Sequence, residues 1–107
     1  MSTKKQRKEG IGHDVDLEDR QKLEPPKKYK VVLYNDDYTS MEFVVIILMD
    51  IFNYGVHRAH EVMLQVHEQG KGIAGVYSKE IAIMKVKRCN QISRKEGHPL
   101  MVSMEQE

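Results

Sequence analysis

The sequence predicts one small α+β domain of order β-α-α-β-α-β, in which a small antiparallel sheet packs against helices. Three observations carry this expectation. Short β-prone runs, "YKVVLY", "IAGVYS" and "LMVSM", are separated by longer runs whose apolar residues recur at helical spacing. Hydroxyl and glycine residues stand where those runs meet, as starts and stops of helices. The chain has 107 residues, the size of one domain, and so few strands in mixed order fit helices laid over one face of a sheet.

Residues 1–24 hold few apolar side chains, begin basic with "KKQRK" and continue acidic with "DVDLED". Such a segment buries too little surface to offset its ordering entropy. It is expected to be a disordered extension ahead of a core domain at 25–107. Pro25 and Pro26 close it off in extended geometry. Val31, Val32 and Leu33 make the first strand, which ends at Asn35, Asp36 and Asp37. Thr39, with Glu42 three residues on, reads as a capping box that opens a helix. "MEFVVIILMDIFN" is apolar almost all round, so this helix should be the most buried element, and Gly55 should end it with a positive φ. A second helix over about 56–69 places Ala59, Val62, Met63 and Val66 on one stripe, and Gly70 stops it. "IAGVYS" follows as a strand. Ser78 caps a third helix with the stripe Ala82, Val86, Cys89 and Ile92, "GHP" breaks it, and "LMVSM" closes the domain.

Composition excludes several function classes. The formal net charge is +1, so no strong field points to nucleic acid or to a membrane surface. A single cysteine, Cys89, allows no internal disulfide and fits a reducing compartment. No apolar run spans a bilayer, and residues 1–24 lack the apolar middle of a secretory signal, so a cytoplasmic location is expected.

Several motifs resemble chemistry without its context. "GKGIAG" at 70–75 matches a dinucleotide fingerprint, but that motif needs a strand before it and a helix after it, the reverse of the order here. It reads as a helix-to-strand turn. His57 and His60 lie one turn apart and His67 two turns further, yet no second cluster completes a zinc set. The expectation is a solvated His57 and a partly packed His60. "KKQRK" could touch phosphates but lacks interleaved aromatics. Adjacent Asp36 and Asp37 diverge in direction, which argues against a shared-proton dyad, and no nucleophile has a base nearby. No catalytic residue, metal or cofactor is expected.

One constellation remains. Asn35 and Asp36 could face the mouth of a cleft, with His67 as a third polar group and Met41, Val44, Met63, Val66 and Leu100 on the flanking elements. Acceptors beside an apolar hole suit a charged amine with a large apolar side chain. Pattern alone leaves simple turn chemistry open at this point.

The blocks "YKVVLYNDDYTSMEFVV", "VMLQVHEQGKGIAGVYSKEIA" and "GHPLMVSME" resemble, in this order, the ClpS family of adaptor proteins, over about residues 25–105. The resemblance implies a fold similar to the C-terminal domain of the ribosomal stalk protein. It also implies an adaptor that binds N-terminal degradation signals for a Clp AAA+ protease. It carries Asn35, Asp36 and His67 onto the family's α-amino-binding set. Asp37, Thr39, Met41, Val44, Met63, Val66 and Leu100 fall on the walls of its side-chain pocket. Glu80 and Lys85 fall on positions that touch the N-terminal domain of a ClpA-like or ClpC-like unfoldase. By themselves, Glu80 reads as an acid favoured in a first helical turn and Lys85 as a solvated lysine. The expected partners are that unfoldase and N-degron proteins, with no nucleic acid or membrane, and the chain is expected to be a monomer. The other reading is a generic interaction domain of stalk-like fold. Two departures stand out: Ser40 replaces a frequent proline, and Ile83 and Met84 replace more polar residues.

Overall fold

The computed structural model describes residues 25–107, so the expectation for residues 1–24 lies outside the described residues. The elements are β1 (Lys28–Tyr34), α1 (Met41–Asp50), α2 (Val56–Gln69), β2 (Lys71–Ser78), α3 (Lys79–Glu96) and β3 (Met101–Gln106). β1 is the central strand of an antiparallel sheet of order β2-β1-β3. It earns that place by composition: Val31 and Leu33 are fully buried on the helical side, and Val32 is nearly so on the other. The β1–β2 register shifts between Val31 and Val32, which pair with Gly75 and Ile73, leaving Ala74 as a bulge. The Ala74 carbonyl accepts a hydrogen bond from the Tyr54 hydroxyl, which ties the α1–α2 loop to β2.

The helices lie on one face. α3 crosses all three strands, while α2 packs on α1 and on β2. Its stripe Ala59, Val62, Met63 and Val66 is buried as the spacing predicts, and Gly70 closes it in the left-handed conformation at φ 88°. Close approach to β2 requires a glycine there. A Cβ on Gly72 would stand 2.8 Å from Val66 Cγ2. Ser78 caps α3, its hydroxyl accepting from the Ile81 N–H, and Gly97 ends it at φ 79°.

Four local expectations are corrected. The N-cap of α1 is Ser40, whose hydroxyl accepts from the Phe43 N–H at 3.1 Å; Thr39 is engaged elsewhere and Glu42 lies in the first turn. The positive φ after α1 belongs to Asn53, at 62°, a residue that tolerates that region. Gly55 instead caps the start of α2 in extended geometry. Finally, α1 is not buried all round. Phe43, Val44, Val45, Ile47 and Leu48 enter the core, but Ile46 and Met49 face outward, because only one side of the helix meets other elements. β2 also begins earlier than "IAGVYS", at Lys71.

Candidate functional site

The turn after β1 and the end of α2 meet through the backbone. The Asn35 N–H donates to the Gly70 carbonyl at 2.9 Å, and the Gly70 N–H donates to the Val66 carbonyl at 3.0 Å. The left-handed cap of α2 therefore serves as the dock for the polar turn. His67, in the last turn of α2, comes to the same place. Asn35, Asp36, Asp37, Thr39, Ser40, Met41, Glu42 and His67 line one cleft of about 400 Å³.

Asp36 organises the turn. Its Oδ1 accepts from the Tyr38 and Thr39 N–H groups, each at 2.7 Å, and its Oδ2 accepts from the Thr39 hydroxyl at 2.7 Å. Thr39 is thus the donor that closes an aspartate turn, which is why Ser40 is left to cap α1. Partial burial pushes the Asp36 carboxyl up. The hydrogen bonds from the Thr39 hydroxyl and the Tyr38 and Thr39 amides outweigh that, with help from His98, and hold it below the ordinary value of 3.8. Such a group stabilises the folded turn above pH 3.8, and the contribution is lost as pH falls through the lowered value. Among the described residues no hydrogen bond engages the Asp37 side chain, which is exposed at the same cleft.

The apolar residues expected beside the amine set divide in two. Met41 lines the cleft and is 43% exposed. Val44, Met63, Val66 and Leu100 do not line it. They belong to the core cluster, and none is more than 7% exposed. Two residues that line the cleft, Ser40 and Glu42, and one that lies outside it, His98, were not expected at the site from the sequence. Glu42 read there only as the partner of Thr39 in a capping box, and Ser40 only as a replacement for a frequent proline. His98, stacked on Phe43 with ring centroids 4.2 Å apart, comes from the α3–β3 junction and acts on Asp36 through its charge. Its presence in the "GHPLMVSME" block was the available signal.

At the far end of the helical layer, Glu80 stands exposed in the first turn of α3. Lys85 is not a solvated lysine. Its ammonium donates to the Ile51 carbonyl at 2.6 Å and lies 5.5 Å from the Phe52 ring centroid and 5.2 Å from that of Tyr77. Met84 beside it is 67% exposed. The histidine expectations are settled locally. His57 pairs loosely with Glu61 at 3.6 Å, and His60 is exposed rather than partly packed, its Nδ1 2.9 Å from the Val56 carbonyl. Among the described residues no group of three or more His, Cys, Asp or Glu side chains could hold a metal ion. No described helix is long and apolar enough to cross a membrane.

The sequence profile of a family described as "ATP-dependent Clp protease adaptor protein ClpS" matches residues 24–103. The chain belongs to the ClpS family. A ClpS adapter protein from Xanthomonas campestris is 52% identical over 82 residues, covering 77% of each chain. One from Janthinobacterium is 50% identical over 99 residues, covering 90% of this chain and 97% of its own. Among solved structures, Agrobacterium tumefaciens ClpS2 bound to L-phenylalaninamide superposes with a TM-score of 0.75 at 37% identity. It covers 78% of this chain and 100% of its own. ClpS proteins are adaptors of an ATP-dependent Clp protease, so this chain is an adaptor and not an enzyme.

Proposed function

We propose that this ClpS-family adaptor captures proteins whose first residue is Leu, Phe, Tyr or Trp and delivers them to a Clp AAA+ unfoldase. The observation that carries the reading is the convergence of Asn35, Asp36, Asp37 and His67 on one cleft beside Met41. L-Phenylalaninamide, the ligand of the related ClpS2 structure, has the same two features the cleft would read: a free α-amine and a large apolar side chain.

An α-amine has a pKa near about 8 and is mostly charged at neutral pH. Its three N–H donors need acceptors when they leave water. Asn35 offers a carbonyl oxygen, His67 a ring nitrogen, and Asp36 the remaining lone-pair direction of its carboxylate. Asp37 adds a carboxylate not spent on the turn. Three such bonds at about 1.5–3 kcal/mol each, with burial of one Leu or Phe side chain, give a gross 6–12 kcal/mol, or about that, before the cost of association. That supports roughly micromolar capture, which suits a carrier that must release its cargo. Seating the side chain requires Met41 to swing aside, so that the ligand reaches the packed Val44, Met63, Val66 and Leu100; methionine is flexible enough to do so.

In the same reading, the core at 25–107 binds cargo and meets the N-terminal domain of a ClpA-like or ClpC-like unfoldase through the α3 surface that carries Glu80, Lys85 and the exposed Met84. Residues 1–24 are the extension that precedes it. The adaptor acts in the cytoplasm as a monomer and works by tethering, raising cargo concentration at the unfoldase.

The test is fluorescence anisotropy with a labelled peptide starting in Phe, free or N-acetylated, against the parent, Asp36→Ala and Asp37→Asn. Acetylation removes the charge and should weaken binding at least about 10-fold. Asp36→Ala should weaken it through both charge and turn, and Asp37→Asn through charge with the turn intact. Equal binding of the free and acetylated peptides would transfer the chain to the generic interaction-domain reading.

A further inference from the structure

The Asp36 carboxylate is mostly occupied from within its own turn. A carboxylate offers about four lone-pair directions. Three are taken at 2.7 Å each, by the Tyr38 and Thr39 amides on Oδ1 and by the Thr39 hydroxyl on Oδ2. Short bonds to an ionised acceptor are the strong class. The two amides hold Oδ1 as a pivot. The hydroxyl is the third point, and as the one bond on Oδ2 among the described residues it helps fix how the carboxylate is turned about that pivot. It leaves one direction open, on Oδ2.

We propose that Thr39 is a positioning residue for the amine-binding reading above, on which this inference rests: its hydroxyl orients the Asp36 carboxylate so that the one open direction of Oδ2 meets the incoming ammonium. Thr39 has no competing duty as a helix cap, since Ser40 holds that role. Its hydroxyl is spent on Asp36. The other charged or titratable groups around Asp36 come from separate elements. Asp37 lies on the turn, Glu42 on α1 and His67 on α2, all lining the cleft, while His98 approaches from the α3–β3 junction. A shift confined to loss of the Thr39 hydroxyl therefore separates its contribution from theirs.

The experiment uses the full chain with Thr39→Val, which keeps the shape and removes the hydroxyl, and Thr39→Ser, which keeps the hydroxyl. Thr39→Ala serves as a second hydroxyl-free variant should the valine fold poorly. Two quantities are read: affinity for the Phe-initiated peptide, and the Asp36 carboxyl titration by carbon-13 NMR. Thr39→Val is expected to bind about 10-fold more weakly and to titrate Asp36 closer to the ordinary carboxylate range. Thr39→Ser is expected to stay within about 2-fold of the parent in affinity and to keep its titration. Equal losses in the valine and serine variants, or parent-like binding in Thr39→Val, would overturn the assignment while leaving amine dependence of the parent intact. A parent that binds free and acetylated peptides alike would overturn the amine reading itself, and this inference with it.

Discussion

At the scale of single residues, the polar turn does two jobs with few side chains. Asp36 shapes the loop through Thr39 and Tyr38, and Asp37 stands exposed beside it, engaged by no hydrogen bond among the described residues. The same stretch explains why Thr39 reads as a cap in sequence and is none in space. Thr39 and Ser40 are both good capping types, and Asp36 three residues earlier claims the first of them. Met41, one residue on, is the apolar side chain at the cleft. A β-branched ligand side chain is bulky from Cβ outward, where it would meet this methionine, whereas Leu and the aromatics branch later. Met41→Ala is therefore expected to improve binding of Ile- or Val-initiated peptides about 10-fold, with little change for Phe. Competition anisotropy against the Phe peptide checks this, and unchanged Ile and Val binding would remove the gate.

At the scale of elements, the site depends on how α1 and α2 end. The left-handed Gly70 supplies the carbonyl that receives Asn35, and Gly72 lets β2 lie against Val66 one residue before His67. The end of α1 has its own support. Lys85 reaches from α3 to the Ile51 carbonyl and over Phe52 and Tyr77, so this basic side chain serves a helix terminus that would otherwise leave a carbonyl unpaired. Lys85→Met keeps the stem and removes the donor. It is expected to cost about 1–3 kcal/mol in urea unfolding, with peptide binding unchanged. A variant of parent stability would show that Lys85 is free for a partner surface. A loss of stability would require partner-binding effects at this position to be corrected for the damaged helix end.

At the scale of the whole molecule, one sheet face is covered by helices, and Cys89 lies in that interior, fully buried on α3. Burial pushes its thiol up to about 12, against a smaller opposing effect of Lys85. The folded state thus favours the protonated thiol. Its contribution to stability is complete below the ordinary value of 9.0 and is lost as pH rises from there toward about 12. Tyr77, also raised by burial and by Tyr54 and Cys89, adds to the same trend above its ordinary 10.0. The unfolding free energy from urea titrations should therefore fall from about pH 9 upward, at a slope approaching about 1.4 kcal/mol per pH unit for the thiol, and less steeply in Cys89→Ala. Identical slopes in the two proteins would show that the thiol does not report the core.

The family was readable from the resemblance of three sequence blocks, and the element order, the stripe of α2 and the stops at Gly70 and Gly97 from residue type and spacing. Those features follow from local rules of periodicity and backbone conformation, which need no distant neighbour. What the sequence could not decide was competition between equivalent neighbours and the aim of side chains across long separations. Asp36 chooses Thr39, so Ser40 caps α1. Asn53, rather than Gly55, takes the positive φ. Lys85 is drawn 34 residues back to Ile51 instead of into water. His98 enters the electrostatics of a turn more than half the domain away in sequence. Val44, Met63, Val66 and Leu100 are packed into the core and leave Met41 at the cleft. The chain alone determined which chemistry is present. Tertiary packing decided which lone pairs and apolar surfaces remain free, because burial and hydrogen bonding from other elements fix both.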